Sequence, residues 1–307
     1  MPLGRRVPLA LLAVAAFACA AAEDAPPPPR EFDGAQALRH VERQLAFGPR
    51  IPGTPGHAAM GRWLDSLLRA RADTVVLQRW EHVTKDGARL PLLNVLARFN
   101  PAAPSRLLFL AHWDTRPVSD APGYTGPRVP VPGANDGGSG VAVLLGMADA
   151  LARTKPTIGV DLLFVDGEDY GNFTTTPDDV LIGSRHYART AIQLGPAPRY
   201  AVLFDMVGDR DLQIHQEGNS VVAAPDVVEL VWKTARRLGY AAHFPADVKH
   251  QVTDDHVELQ KAGIRAIDLI DFDYPAWHTP GDTLGMVSAE SLQKVGDVAM
   301  ALVREAP

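Results

Sequence analysis

Five histidine and aspartate side chains are the residues of this sequence that could bind a catalytic metal. They are His112, Asp136, Asp169, Asp205 and His278. Imidazole nitrogens and carboxylate oxygens bind zinc, and a catalytic zinc keeps one coordination position open. The single cysteine, Cys19, lies near the N-terminus, so we expect any zinc in the body of the protein to be held without thiolate.

Glu168 lies next to Asp169, after an apolar segment and shortly before Gly171. Two adjacent carboxylates repel each other unless a positive charge lies nearby. The pair is therefore either a solvated part of a loop or a functional pair with divided tasks. In the functional interpretation one carboxylate binds metal, and the other, close but unbound, moves protons.

The segments around the other candidates also allow a structural interpretation. Asp136 lies in a glycine-rich stretch just before a predicted helix. It could cap that helix, or the glycines could let the backbone approach a metal closely. His278 follows Trp277, and a lone histidine beside a tryptophan is more often packed or exposed than bound to a metal. Asp254 begins an Asp-Asp-His cluster that could cap a helix.

Most of the candidates follow short apolar segments, which are typical of buried strands. In open α/β sheets, functional sites form at the carboxyl ends of the strands. Polar residues that could bind metal follow four such segments: residues 107–111 lead to His112 and Asp114, 160–165 to Asp166, Glu168 and Asp169, 200–204 to Asp205, and 264–270 to Asp271, Asp273 and His278. The sequence therefore predicts a site at these strand ends.

The rest of the chain alternates helical and strand patterns. Periodicity predicts helices over 35–47, 57–72, 141–151, 227–238 and 289–303, and further strands over 75–80 and 92–99. This alternation predicts an α/β fold, a three-layer sandwich with a mostly parallel central sheet and helices on both faces. We expect a single catalytic domain over residues 34–307.

The composition is that of an ordinary globular protein, with 46% hydrophobic and 21% charged residues. The formal net charge of −6 argues against nucleic acid as a partner, because nucleic-acid-binding proteins usually present a basic face. Small molecules or peptides remain as substrates, and we expect a monomer.

The N-terminal residues predict export. Arg5 and Arg6 precede an apolar stretch over 7–18 and a run of small residues, a pattern typical of a secretory signal, which we place at residues 1–22. The apolar stretch is too short to span a bilayer. Cleavage and release into the periplasm or medium is one outcome, and a lipid anchor at Cys19 is the other. The prolines at 26–29 then belong to a stiff spacer over residues 23–33.

Eight short motifs follow one another along the chain: G-P-R-I-P-G-T-P-G-H, A-H-W-D-T, G-A-N-D-G-G-S-G, D-G-E-D, G-S-R-H, F-D-M-V-G, D-D-H and W-H-T-P-G-D-T. In this order they resemble the superfamily of zinc aminopeptidases and animal-type glutaminyl cyclases, and most of all its bacterial glutaminyl-peptide cyclotransferases. The resemblance spans nearly all of the chain after the predicted export segment. It implies an enzyme that acts on the free N-termini of peptides or proteins.

The resemblance implies zinc ligands and a proton carrier. Asp136, Asp169 and His278 match zinc ligands, and Glu168 matches the general base and acid. The family usually has Glu at the position of Asp169, so the carboxylate of this chain is shorter by one methylene.

Two versions of the site follow from the resemblance. In the aminopeptidases Asp136 bridges two zinc ions, and His112 and Asp205 complete the second site. In the cyclases one zinc suffices, and Asp205 and Asp254 belong to a hydrogen-bonded proton network. The tryptophan that matches Trp277 lines the substrate pocket.

Features of both enzyme types are present. Asp254 stands where aminopeptidases usually have Ser, the W-H pair resembles the cyclases, and the loop from Asp169 to Gly183 is long, as in the cyclases. Conversely, the H-T-P-G-D-T ending is common in aminopeptidases, and all five ligands of a two-zinc site are present by residue type. Phe173 and Thr174 stand where the cyclases have a pocket tryptophan.

The resemblance favours a zinc-dependent glutaminyl-peptide cyclotransferase, an acyltransferase that forms N-terminal pyroglutamate and releases ammonia. The alternative is a zinc aminopeptidase, in which Glu168 would activate water against the first peptide bond. A non-catalytic binding domain on the same fold is a weaker alternative, because Glu168 would have no task in it. One zinc ion is expected for the cyclase and two for the aminopeptidase.

Overall fold

The computed structural model describes Met1 and residues 30–306 of the 307-residue chain. Apart from Met1, the predicted signal segment over 1–22, including Cys19, lies outside the described residues, as does the predicted spacer as far as residue 29. Within the described part of the chain, no helix has the length and apolar character needed to cross a membrane.

The strands of the central sheet are β1 (Thr74–Val83), β2 (Arg89–Phe99), β3 (Arg106–His112), β4 (Gly159–Val165), β5 (Ala201–Asp205) and β6 (Ala266–Ile270). Their order in the sheet is β1-β2-β4-β3-β5-β6. Strands β3 to β6 are parallel, whereas β2 pairs antiparallel with both β1 and β4. The strand predictions are confirmed, and the sheet is mixed because its first hairpin runs antiparallel.

Helices cover both faces of this sheet. In the described residues they are α1 (Gly34–Leu45), α2 (Pro55–Arg69), α3 (Gly138–Arg153), α4 (Ile182–Thr190), α5 (Gly218–Ala223), α6 (Pro225–Arg237), α7 (Asp255–Lys261) and α8 (Ala289–Arg304). Helices α1, α2, α3, α6 and α8 contribute to the core on one face, and α4 and α7 pack against the other. The predicted three-layer α/β sandwich is thereby confirmed.

Periodicity did not predict three helices, although the capping interpretation of Asp254 already implied a helix at the position of α7. Helices α4, α5 and α7 have 9, 6 and 7 residues, which is shorter than the windows over which helical periodicity can be recognised. The start of β6 was also placed two residues too early. Gly263 has a φ of 82°, and Ile264 N–H still donates to Leu259 O at 3.0 Å, so this segment closes α7 before the strand begins.

Strands β3 and β4 have no exposed residue along their length, since all 7 residues of each are buried. Continuous apolar runs of this kind are typical of parallel strands covered on both faces. The candidate residues His112 and Asp205 lie at the carboxyl ends of such strands, and Glu168 and Asp169 follow the end of β4.

Helix α3 approaches the end of β5 more closely than a side chain would allow. A Cβ atom added to Gly140 would lie 2.1 Å from Phe204 O and 2.9 Å from Ala111 Cβ. This contact brings Asp136, which precedes α3, towards Asp205, which follows Phe204 in the chain.

Replacing Gly140 by alanine is expected to destabilise the fold by about 3 kcal/mol or more, because the added methyl meets rigid backbone and overpacking against softer neighbours already costs about 1–3 kcal/mol. Urea unfolding measures this difference. The matched control is Gly285→Ala, where the nearest atom is Thr283 Oγ1 at 3.8 Å, and the expected change is within about 0.5 kcal/mol. Equal stabilities of the two variants would contradict the close approach.

Candidate metal and proton-transfer site

The predicted metal-binding side chains converge at the carboxyl ends of the parallel strands. Two overlapping sets, His112–Asp136–Asp205 and Asp136–Asp169–His278, each bring one nitrogen or oxygen per residue within 4.8 Å of the others. His112 Nε2 lies 3.2 Å from Asp136 Oδ1 and 3.2 Å from Asp205 Oδ1. His278 Nε2 lies 3.2 Å from Asp169 Oδ1 and 3.8 Å from Asp136 Oδ2. Asp136 belongs to both sets.

The chemistry of this cluster fits zinc. Its donors are imidazole nitrogens and carboxylate oxygens, which zinc prefers, and all five side chains are buried. Asp136 Oδ2 and Asp169 Oδ2 have no hydrogen-bond partner among the described residues. Buried carboxylate oxygens without a partner are costly unless a cation or proton compensates them. Asp136, Asp169 and His278 would hold one ion, and His112 and Asp205, with Asp136 shared, would hold a second.

The two histidines respond to this concentration of negative charge. Burial alone would lower the pKa of His278, but the charge of Asp169 and hydrogen bonds to Asp120 and Asp169 raise it to about 10. Burial also opposes a raised pKa at His112, yet the neighbouring carboxylates of Asp114, Asp136 and Asp205 raise it well above its ordinary value. A metal ion bound at these nitrogens would displace the protons that the carboxylates attract.

Asp114 fixes the backbone of the acidic pair. Its Oδ1 accepts the N–H of Glu168 and its Oδ2 accepts the N–H of Asp169, both at 3.1 Å. Gly167 precedes the pair with a φ of 70°, in the left-handed region that favours glycine. Glu168 and Asp169 are only 7% and 1% exposed, so their interpretation as a solvated loop pair is wrong.

Asp282 fixes the backbone around Asp136 in the same way. Its Oδ1 accepts the N–H of Asn135 at 2.8 Å, and its Oδ2 accepts the N–H of Asp136 at 3.1 Å. Arg50 donates to two carbonyls of the preceding loop at 2.5 and 2.7 Å. Gly137 occupies the N-cap position of α3, so the interpretation of Asp136 as the cap is wrong and its carboxylate faces the cluster.

Asp120 and Arg116 support the ligands from behind. His278 Nδ1 lies 3.0 Å from Asp120 Oδ1, the carboxylate–histidine pair that commonly orients a metal-bound imidazole. Arg116 donates to Asp120 Oδ2 at 2.6 Å and to Asp169 Oδ1 at 3.1 Å. The buried guanidinium is the cation that the adjacent carboxylates Glu168 and Asp169 require.

Sequence reasoning missed the roles of these four supporting residues. Asp114 and Asp282 lie inside two of the motifs that carry the resemblance, which was a usable signal for them. Arg116 and Asp120 had no such signal, because their contacts arise only when the loop after β3 folds back onto the cluster.

Glu168, Asp205 and Asp254 form an acidic wall beside the ligands. They are 7%, 8% and 3% exposed, respectively. Burial, the largest cause, raises the pKa of Glu168 and Asp205, and burial together with the charge of Asp205 raises the pKa of Asp254 to about 7. Coupled carboxylates of this kind share protons near neutral pH.

Asp254 has two tasks in the structure. Its Oδ1 accepts the N–H of Asp255 at 2.5 Å and so caps α7, as the capping interpretation predicted. Asp254 also lines the cavity next to the cluster. The two interpretations are therefore compatible.

The cavity has a volume of about 260 Å³ and is acidic at one end and apolar along its walls. The walls include Phe173, Val252, Ile270, Phe272 and Trp277. The Trp277 ring stacks on the imidazole of His278, with centroids 4.0 Å apart. Trp277 and Phe173 therefore both contribute aromatic rings to the cavity wall, and Phe173 does so near the position where the cyclases have tryptophan.

Three other acidic residues that follow the strands lie outside the cluster. Asp166 binds His57 Nε2 at 2.9 Å and the N–H of Leu93 at 2.7 Å. Asp271 accepts the N–H of Gln213 at 2.8 Å, and Asp273 pairs with Lys249 at 2.7 Å. Following a strand is thus not sufficient to place a residue in the cluster, because the direction of the chain after the strand decides where each side chain lies.

We expect added zinc to raise the melting temperature of protein from which a chelator has removed all metal. The rise should be larger at pH 9 than at pH 6. In metal-free protein the pKa of His278 rises from 6.5 to about 10 and that of Asp254 from 3.8 to about 7. Stability from such raised groups is present below the unfolded pKa values and is lost as the pH rises through the folded ones. Zinc also competes with fewer protons at high pH.

Differential scanning fluorimetry of chelated protein with and without zinc measures this effect. Magnesium is the control, because it prefers oxygen ligands and should give a smaller rise. A zinc-induced rise that is equal at both pH values, or larger at pH 6, would contradict the assignment of His278 to the metal site.

Comparison with known proteins gives relatives of two enzymatic kinds. The chain is 28% identical over 269 residues to a mouse (Mus musculus) protein named glutaminyl-peptide cyclotransferase-like protein, a match that covers 76% of this chain and 66% of the mouse protein. The chain thus spans just under two thirds of that relative's length.

Solved structures show the same two kinds. The structure of Porphyromonas gingivalis glutaminyl cyclase is 37% identical, with a TM-score of 0.84 over 89% of this chain and 98% of that chain. The structure of a leucine aminopeptidase precursor from Bacteroides thetaiotaomicron is 33% identical, with a TM-score of 0.86 over 90% and 98%. Residues 94–303, more than half of the chain, match peptidase family M28. The chain belongs to this family, whose members among its relatives are glutaminyl cyclases and zinc-dependent aminopeptidases.

Proposed function

We propose that the protein is a zinc-dependent glutaminyl-peptide cyclotransferase, which converts an N-terminal glutamine to pyroglutamate and releases ammonia. The observation that carries the proposal is the position of Asp254, which lines the cavity together with Glu168 and Asp205. Asp254 Oδ2 has no hydrogen-bond partner among residues 30–306. Peptide hydrolysis with Glu168 as the general base does not require Asp254 as a further buried acid. A cyclase with a proton network around Glu168 does require it.

The cavity suits one small side chain rather than a long peptide. Its volume of about 260 Å³ lies just below the range of ~300–1,000 Å³ for drug-sized ligands. Apolar and aromatic walls would contact the methylene groups of glutamine, while the acidic end would face its amide and the α-amine. The following residues of the peptide would then extend out of the cavity.

The chemistry requires one proton transfer that Glu168 is placed to perform. The α-amine of the substrate forms a bond to the γ-carbonyl carbon, and the bond from that carbon to the amide nitrogen breaks. Glu168 takes a proton from the amine and gives it to the departing ammonia. Asp136, Asp169 and His278 would hold zinc, which in such sites supplies Lewis-acid polarisation of a carbonyl. Because both reacting groups belong to one residue, orientation in the cavity contributes much of the rate.

The surroundings of Glu168 suit a side chain that both accepts and releases a proton. Its burial raises its pKa, so it accepts a proton more readily than a solvated glutamate would. His112 Nδ1 lies 3.9 Å from Glu168 Oε2 and favours the charged form. These opposing influences support a group that changes protonation state during the reaction.

A second candidate function is supported by a specific observation. His112, Asp136 and Asp205 form a second set of donors beside the first, as a two-zinc aminopeptidase would require. In that enzyme Glu168 would activate water against the first peptide bond. Export through the predicted segment at residues 1–22 is part of the proposal for either function.

Glu168→Gln is expected to lower turnover by about a hundredfold or more, because general acid–base catalysis typically contributes about 10²–10⁴. The variant should keep its zinc and its fold, since Gln has nearly the same shape. His278→Ala should instead lose zinc, because it removes a nitrogen donor. Turnover on a Gln-initiated peptide and metal analysis of both variants measure these effects. Near wild-type turnover of Glu168→Gln would remove this residue from the mechanism.

Asp254→Ser is expected to lower pyroglutamate formation by about tenfold or more, because the proton network loses a member, while zinc content stays unchanged. Serine is also a good N-cap, so α7 should keep its stability. The matched control is Asp33→Ser at the N-cap of α1, where Asp33 Oδ1 accepts the N–H of Gln36 at 2.9 Å. It should leave turnover unchanged. An Asp254→Ser variant with wild-type turnover would contradict the network and favour the aminopeptidase.

A further inference from the structure

Behind Asp254 lie two buried polar side chains, His256 and Asp268, that the mechanism above does not use. One nitrogen or oxygen from each of Asp254, His256 and Asp268 lies within 4.8 Å of the other two. We call these three side chains the rear triangle. They are 3%, 0% and 0% exposed, respectively. Asp254 is the only one of the three that also lines the cavity.

Glu217 fixes the state of His256. Its carboxylate caps α5 and accepts the N–H groups of Asn219 at 2.8 Å, Ser220 at 2.7 Å and Val252 at 2.9 Å. Although burial raises the pKa of Glu217, these bonds and the one to His256 lower it to about 2. An ionised carboxylate can only accept, so His256 Nε2, at 3.2 Å from Glu217 Oε2, must donate.

In a neutral imidazole that donates from Nε2, the other ring nitrogen presents a lone pair to the rear triangle. His256 Nδ1 lies 3.8 Å from Asp268 Oδ2. In the described part of the chain, His256 Nδ1, Asp254 Oδ2 and both oxygens of Asp268 lack a hydrogen-bond partner. Four acceptor atoms on three side chains repel one another in this buried space, and a proton on one of them would turn the repulsion from its neighbour into attraction.

The proton fits Asp268 better than Asp254. Asp254 Oδ1 already accepts the N–H of Asp255, and such a bond favours a carboxylate. Neither oxygen of Asp268 accepts a bond from any described residue, and burial raises its pKa well above the usual value. Its position in the middle of β6, with its N–H held by Ser220 Oγ at 2.9 Å, keeps the carboxyl group from turning towards solvent.

We infer that Asp268 is a positioning residue, which as the neutral acid donates a hydrogen bond inside the rear triangle and so fixes the Asp254 carboxylate at the cavity wall. The inference rests on the proposed function, since it assigns Asp254 a task in proton transfer. Asp268 touches neither substrate nor metal in this arrangement. It acts through the orientation of Asp254.

The test compares two substitutions of Asp268 in the zinc-loaded protein. Asp268→Asn keeps the shape and a donor but cannot ionise, and it should retain kcat within about twofold of wild type. Asp268→Ala removes the donor and should lower kcat by about tenfold while KM changes by less than about twofold, because Asp254 loses its orientation but the cavity walls remain. Zinc content should be unchanged in both variants.

Two controls separate this effect from a general loss of structure. Asp271→Ala removes another buried aspartate just after the same strand, away from the rear triangle, and should leave kcat unchanged. If Asp268→Ala does not fold, Asp268→Val takes its place, because a buried ionisable group can often be replaced by an apolar one without loss of stability. The same fall in kcat is expected for it.

Several outcomes would overturn the inference. Wild-type kcat in Asp268→Ala or Asp268→Val would show that the rear triangle does not position Asp254. If kcat falls as far in Asp268→Asn as in Asp268→Ala, Asp268 acts as a carboxylate. The proton would then lie on His256, or a cation would lie in the rear triangle. All variants are assayed on Gln-initiated and Leu-initiated peptides. Wild-type protein that only cleaves the Leu-initiated peptide would contradict the proposed function. In that case the kcat values of the Asp268 variants relative to wild type, measured on the Leu-initiated peptide, would still decide the role of Asp268.

Discussion

Buried negative charge at the carboxyl ends of the parallel strands is the constraint on which the rest of the structure depends. The aspartates of the cluster are almost fully enclosed, and carboxylates in such a place are costly unless a cation or shared protons compensate them. In the metal-free protein, imidazolium groups with raised pKa values supply the positive charge. A zinc ion would supply it more effectively, and the same enclosure would then strengthen its effect on a bound carbonyl. The burial that makes the cluster unfavourable without a cation is therefore the same burial that would strengthen the action of a bound ion.

The surrounding fold keeps these groups in place with backbone contacts rather than flexible side chains. Asp114 and Asp282 each hold two successive N–H groups next to a ligand, so the ligand-bearing loops have little freedom. Gly140 brings α3 against β5, and Asp120 orients His278 through the Nδ1 atom of its ring. Preorganisation of this kind is what a metal site requires if its geometry is to be set before substrate binds.

Much of this arrangement could be predicted from the sequence, because residue order along an α/β chain already determines which side chains follow buried strands. The donors and Glu168 were found in this way, together with the resemblance carried by the motifs. Contacts made by Arg116 could not be predicted, since they depend on how one loop folds over another. Local rules failed where two of them compete: Asp136 precedes a helix but does not cap it, while Asp254 caps a helix and also lines the cavity.

The choice between the two enzymes of this family depends on what the acidic wall does with a proton. In a cyclase the wall takes it from an amine, and in an aminopeptidase Glu168 takes it from water, so the same residues allow either reaction. The most direct measurement is mass spectrometry of a Gln-initiated peptide after incubation with the zinc-loaded protein. We predict a product that has lost ammonia and nothing else. A product that has lost the whole N-terminal residue would contradict the proposed function.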